Sequence, residues 1–153
     1  MKGDYSIVKV NAKRILVIIH PICSITRAQL DQILVESGVD LSCVEYITVE
    51  NVDALPVLPD GTPVIFPVDQ NLIDDEELQR AAMACANIKG HVISIYGPDV
   101  SFDNLSKIGD NYGQQIMWNS KPLNRCLVNP GKTTPTDSFG NERNRSRAEQ
   151  VGC

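Results

Sequence analysis

The sequence predicts an α/β domain built on a mostly parallel five-stranded sheet with helices on both faces. Short apolar runs rich in β-branched residues recur along the chain, and segments with helical spacing and well-formed caps lie between them. The length of 153 residues, 42% of them apolar, matches one domain able to build a core without disulfides or metals.

The first strand is Arg14-Ile15-Leu16-Val17-Ile18-Ile19, apolar throughout and so buried on both faces. His20-Pro21 ends it, because proline lacks the amide donor a central strand needs. A helix follows. Thr26 and Gln29 make a T-x-x-Q capping box, Ile25 and Leu30 a hydrophobic staple, and Leu30, Ile33 and Leu34 the buried face. Ser37-Gly38 ends it, with Gly38 free to turn left-handed.

Residues 44–49 (VEYITV) are the second strand. The proline-containing stretch 50–62 leaves room for one short helical turn near residues 52–55. Residues 63–67 form a third strand bracketed by Pro63 and Pro67. Asp74 and Glu77 repeat the capping-box pattern, with Ile73 and Leu78 as staple. Leu78, Ala81, Ala82 and Cys85 give that helix a face of mostly small residues, and Lys89-Gly90 closes it. Residues 91–96 are the fourth strand, broken by Gly97-Pro98-Asp99. A short helix over 101–108 carries Phe102, Leu105 and Ile108. Residues 114–118 are the fifth strand, and residues 5–10 are a candidate extra edge strand.

Residues 1–128 therefore read as a single α/β domain. From residue 129 to 153 the only Leu, Ile, Val or Phe residues are Phe139 and Val151. Such a segment buries too little apolar area to offset its ordering entropy and reads as a flexible polar tail.

Strands alternating with capped helices point to a flavodoxin-like or Rossmann-like three-layer sandwich with right-handed crossovers. Ligands of such sheets bind beyond the carboxyl ends of the strands, where strand order reverses. The candidate cleft residues there are His20, Cys23 and Ser24 after the first strand, Asp69 after the third, Tyr96 and Asp99 at the end of the fourth, and Trp118 at the end of the fifth. His20 and Cys23 have the chemistry of a base and a nucleophile; they also suit a strand terminator and a half-buried thiol. Asp69 and Asp99 suit a ribose hydroxyl, and equally suit turns and caps. Asp74, Asp75, Glu76 and Glu77 form an acidic run that could meet a basic partner, although helix starts favour carboxylates anyway.

The charge and the missing motifs exclude much else. With 14 basic against 19 acidic residues and a net charge of −5, nucleic acid and anionic membrane are poor partners. There is no dinucleotide fingerprint, phosphate-binding loop or nucleophile elbow, and no cofactor is expected. The five cysteines form no C-x-x-C pair; reduced thiols in the cytoplasm fit them, and no apolar run is long enough for a leader or membrane span. With only two histidines, a His-rich metal site is not expected. In strand and helix order, and in a fourth strand ending in Gly97-Pro98-Asp99, the chain resembles the broad group of Rossmann-like domains that includes TIR-like and nucleoside-deoxyribosyltransferase-like proteins. No catalytic residue is carried over from that resemblance.

Two functions follow as expectations. One is a small non-catalytic binding or regulatory protein of accessory, immunity or adaptor type, acting on another protein. The other is a small hydrolase or transferase handling a nucleotide, with Asp69 or Asp99 on a sugar and Tyr96 or Trp118 stacked on a base. A homodimer joined through an edge strand or the small-residue helix face is a third arrangement.

Overall fold

The computed structural model describes residues 7–59, 61–100 and 113–128. The elements are β1 (Ile15–Ile19), α1 (Arg27–Glu36), β2 (Val44–Thr48), β3 (Thr62–Val68), α2 (Glu76–Asn87), β4 (Gly90–Tyr96), β5 (Gly113–Met117) and α3 (Ser120–Val128). The strands form one sheet in the order β2-β1-β3-β4-β5, every neighbouring pair parallel. This is the flavodoxin-like order, doubly wound about β1 and β3.

Alternation along each strand divides the core in two. Leu16, Ile18, Val64, Phe66, Val68 and Val92 pack with Leu78, Ala82 and Cys85 of α2 and with Val49 and Val52 of a 3-10 segment, Val49–Ala54. Ile15, Val17, Ile65, Ile93 and Ile95 pack on the other face with Leu30, Ile33 and Leu34 of α1 and with Leu123, Cys126 and Leu127 of α3. Each Val, Leu, Ile or Phe side chain among these contributes about 1.5–3 kcal/mol when fully buried. The two layers explain why β1 and β3 read as unbroken apolar runs.

Pro63 and Pro67 lie inside a central strand, a place proline usually avoids. The recorded ladder of β3 with β1 covers only Leu16–Val64 and Val17–Ile65. The prolines therefore flank that ladder rather than interrupt it.

The α1 capping box forms as read: Gln29 N donates to Thr26 Oγ1 and Thr26 N donates to Gln29 Oε1. Gly38 takes φ +85° after Ser37, and a Cβ there would lie 2.7 Å from the Val8 carbonyl oxygen.

Four local readings change. The α2 cap is Asp75, whose side chain accepts from Leu78 N, so Asp74 and Glu77 do not form the box. A 3-10 turn at Gln70–Leu72 sets the start of the helix one residue later. After α2 the left-handed residue is Lys89, φ 77°. Gly90 already belongs to β4, where a Cβ would meet the Cys85 carbonyl oxygen at 2.9 Å. Residues 7–10, the described part of the expected edge strand, are not strand; instead Val10 N donates to the Gly38 carbonyl. Finally, α3 was not foreseen. Asn119 caps it by accepting from Lys121 N at 2.9 Å, and Pro122 sits in its first turn, where its missing N–H costs nothing.

The expected helix at 101–108 and the polar tail at 129–153 lie outside the described residues. No described helix is long and apolar enough to cross a membrane.

Candidate functional site

The strand order reverses between β1 and β3: α1 carries the chain from β1 to β2 on one face, and the Val49–Ala54 segment carries it to β3 on the other. The loops leaving β1 and β3 meet at this point. Asp69 follows β3 directly and is fully buried. Its Oδ1 accepts from Asn71 N at 2.9 Å, which closes the 3-10 turn. Its Oδ2 accepts from Ser24 N at 2.6 Å and from Ser24 Oγ at 2.7 Å. Three donors thus satisfy one buried carboxylate and fasten the β1 loop to the end of β3.

His20, 8% exposed, shapes the same loop. Its carbonyl accepts from Cys23 N at 3.0 Å. Its Nδ1 accepts from Ile22 N at 3.2 Å. A ring nitrogen that accepts carries no proton, so these bonds assign the ring proton to Nε2. That nitrogen faces Glu77 Oε1 at 3.1 Å and Asp75 Oδ2 at 3.4 Å. A pairing of residues more than fifty positions apart leaves no local signal in the sequence. It follows only from the topology that seats the start of α2 beside the end of β1.

Cys23 is half-buried, and its Sγ lies 4.0 Å from the Pro67 carbonyl oxygen. Burial pushes its thiol above the usual range; a backbone hydrogen bond from Ile25 opposes this in part, and the Asp69 and Asp99 carboxylates add to the rise. A raised thiol beside two acids, with the histidine nitrogens turned elsewhere, is a poor nucleophile. Asp99 is exposed and belongs to this rim. A Cβ on Gly97 would lie 3.1 Å from Asp99 Oδ1 and 3.1 Å from Ile25 Cδ1, so the turn after β4 rests against the β1 loop.

Five of the seven cleft candidates, His20, Cys23, Ser24, Asp69 and Asp99, are therefore gathered. The other two are placed differently. Tyr96 is fully buried and donates its hydroxyl to Gln115 Oε1 at 2.9 Å. Trp118 is half-buried against the α1–α3 core. In the acidic run, Asp74 and Glu76 are exposed, Asp75 caps α2, and Glu77 faces His20. Beside them opens a cleft of about 500 Å³ lined by Gln70, Asn71, Ile73, Asp74 and Asp75. Asp31 and Arg27 of α1 hold Tyr46 of β2 at the far edge, away from this rim.

Compared with protein-family models, with curated proteins and with solved structures, the chain finds no match.

Proposed function

We propose that the chain is a non-catalytic binding protein whose contact surface is the acidic rim where the β1 loop meets the start of α2. One observation carries this reading: the polar groups of Asp69, Ser24 and His20 Nδ1 at the strand ends are engaged in hydrogen bonds that shape the loops. The Asp69 carboxylate holds Ser24 and Asn71, and His20 Nδ1 holds Ile22. Of the two candidates for base stacking, Tyr96 lies beneath the surface and Trp118 is half-buried against the α1–α3 core. The rim presents Ile22, 55% exposed, together with the exposed carboxylates Asp74, Glu76, Glu77 and Asp99. An apolar side chain beside carboxylates suits a basic partner segment carrying an apolar anchor. The charges would speed encounter and the anchor would slow release.

Quantitative capture from native lysate at two salt concentrations tests this. Wild type should retain one stoichiometric partner, more weakly at high salt. An Ile22→Asp/Glu76→Lys variant should lose it, while Val57→Asp, changing an exposed residue outside the rim, should keep it. Absence of a stoichiometric partner, or equal retention by the rim variant, rejects the reading. A nucleotide that raises the melting temperature by linkage, with the shift lost in Asp99→Ala, would instead support a nucleotide-handling role.

A further inference from the structure

We propose that His20, Asp75 and Glu77 form a site for one divalent transition-metal ion, and that loading it displaces the Ile22 loop. The ion site stands alone; only its consequence for partner contact rests on the function proposed above.

The three side chains offer one imidazole nitrogen and two carboxylate oxygens, all within 4.8 Å of one another. Zinc bonds of about 2.0–2.2 Å put the corners of a tetrahedron about 3.3–3.6 Å apart. Nε2 already lies 3.4 Å from Asp75 Oδ2 and 3.1 Å from Glu77 Oε1, so both edges from the imidazole suit a zinc-sized ion, and the two carboxylates come within 4.8 Å of each other. The fourth position can open toward the polar cleft at Asp74 and Asp75, which leaves room for water.

The charge arrangement points the same way. His20 is buried, with Nε2 aimed at both carboxylates. The neutral ring has one N–H on that side, while two acceptors converge on it. The start of α2 adds about half a positive charge, but its first turn also carries Glu76. A cation at Nε2 supplies what the single proton cannot. Asp75 Oδ2 caps Leu78 N and keeps a second lone pair for a ligand. An imidazole in the set favours zinc, cobalt or nickel over magnesium or calcium.

Binding has a structural consequence. A metal on Nε2 takes the lone pair of that nitrogen, so the ring proton moves to Nδ1 and the imidazole stays neutral. Nδ1–H then faces Ile22 N–H, now 3.2 Å away, and the bond becomes a repulsion between two donors. Ligating histidines normally give that second proton to an acceptor. The Ile22 loop must shift to supply one, so the ion and the present loop position exclude each other.

Zinc titration of the full chain by calorimetry, with the visible band of cobalt as a second readout, tests the site. Wild type should bind one ion. Glu77→Gln, at an exposed position, should weaken binding about tenfold or more, and Glu76→Gln should not. No one-to-one binding up to millimolar metal, or equal affinity in Glu77→Gln, overturns the site. Proton–nitrogen spectra with zinc should show the Ile22 amide moving with saturation; a bound ion that leaves it unmoved overturns the loop displacement. None of these readouts requires a partner, so their failure is separable from failure of the binding role.

Discussion

Ser24 and Asp69 join the carboxyl ends of β1 and β3 through a single oxygen, Asp69 Oδ2, which accepts both the backbone N–H and the hydroxyl of Ser24. The two strands share only a short ladder, so this contact does much of the work of holding the switch point closed. Asp69→Ala strands the amides of Ser24 and Asn71 and should cost about 2–4 kcal/mol. Ser24→Ala removes one bond and keeps the other, for about 1 kcal/mol. Asp69→Asn should fall between them. Urea denaturation gives the order; equal costs for all three would mean that the contact is not a fastening.

The fold was legible because β1 and β3 are apolar on both faces, β4 is largely so despite His91 and Ser94, and α1 announces its start with Thr26 and Gln29. The α2 start was ambiguous because Asp74 and Asp75 both suit an N-cap; the 3-10 turn after Asp69 decides between them. The α3 signal lies in Asn119, Pro122 and the spacing of Leu123, Cys126 and Leu127, but only Trp118 separates β5 from the capping Asn119, so no turn sequence marks the boundary. The rim was legible in part. Strand ends locate His20, Ser24 and Asp69, whereas the approach of Glu77 to His20 depends on how α2 docks. Nothing in the sequence distinguishes a Tyr96 at the surface from one below it.

His91 gives a pH dependence of stability. It is buried at the start of β4, with Nε2 bonded to Gln114 Oε1 at 2.5 Å and no partner for Nδ1 among the described residues. Burial lowers its basicity from the ordinary 6.5, and the Gln114 bond offsets this only in part. Below that ordinary value the unfolded chain takes up the proton and the folded chain resists it. His91 therefore stabilises the fold fully above about pH 6.5, and that contribution is lost as pH falls toward the depressed folded value. His91→Gln keeps a donor for Gln114 and removes the titration. Melting temperatures between pH 5 and 8 should fall more steeply with acid in wild type than in the variant; parallel curves would exclude His91 as the source.

Gly113 should tolerate no side chain. A Cβ there would lie 2.0 Å from the Val92 carbonyl oxygen, which is backbone of the neighbouring strand and cannot swing aside. Gly113→Ala must push β5 off β4, at a cost of about 3 kcal/mol or more. A melting temperature within a degree or two of wild type would mean that the two strands are not so closely apposed.

Asn124 is a buried clamp. Its Nδ2 donates to the Val8 carbonyl at 2.6 Å and to the Ser37 carbonyl at 2.8 Å, tying the segment before β1 and the end of α1 to α3. Asn124→Leu keeps the volume and leaves both carbonyls without that donor, so it should cost about 2 kcal/mol. Hydrogen exchange separates the clamp from general damage. The Val10 amide, bonded to the Gly38 carbonyl, should lose protection more than the amides of β3 and β4. Uniform loss across the sheet would assign Asn124 to global stability alone.

Thiol reactivity separates a binding rim from a cysteine-dependent enzyme. Burial pushes Cys85 and Cys126 up to about 12, and both are shielded in the core. Cys43, partly buried beside Asp40, is also raised. Cys23 is the decisive residue, because a nucleophile at the switch point would need a thiolate at neutral pH. Burial, Asp69 and Asp99 favour the thiol and together outweigh the hydrogen bond from the Ile25 backbone, which favours the thiolate. In a Cys153→Ser background, native labelling with iodoacetamide at neutral pH should modify Cys23 more slowly than a free thiol such as glutathione, and Cys85 and Cys126 only after unfolding. Site-resolved mass spectrometry reads each rate. A Cys23 that outpaces glutathione would require a positive group at the rim capable of outweighing two carboxylates, and would return the strand-end loop to catalysis.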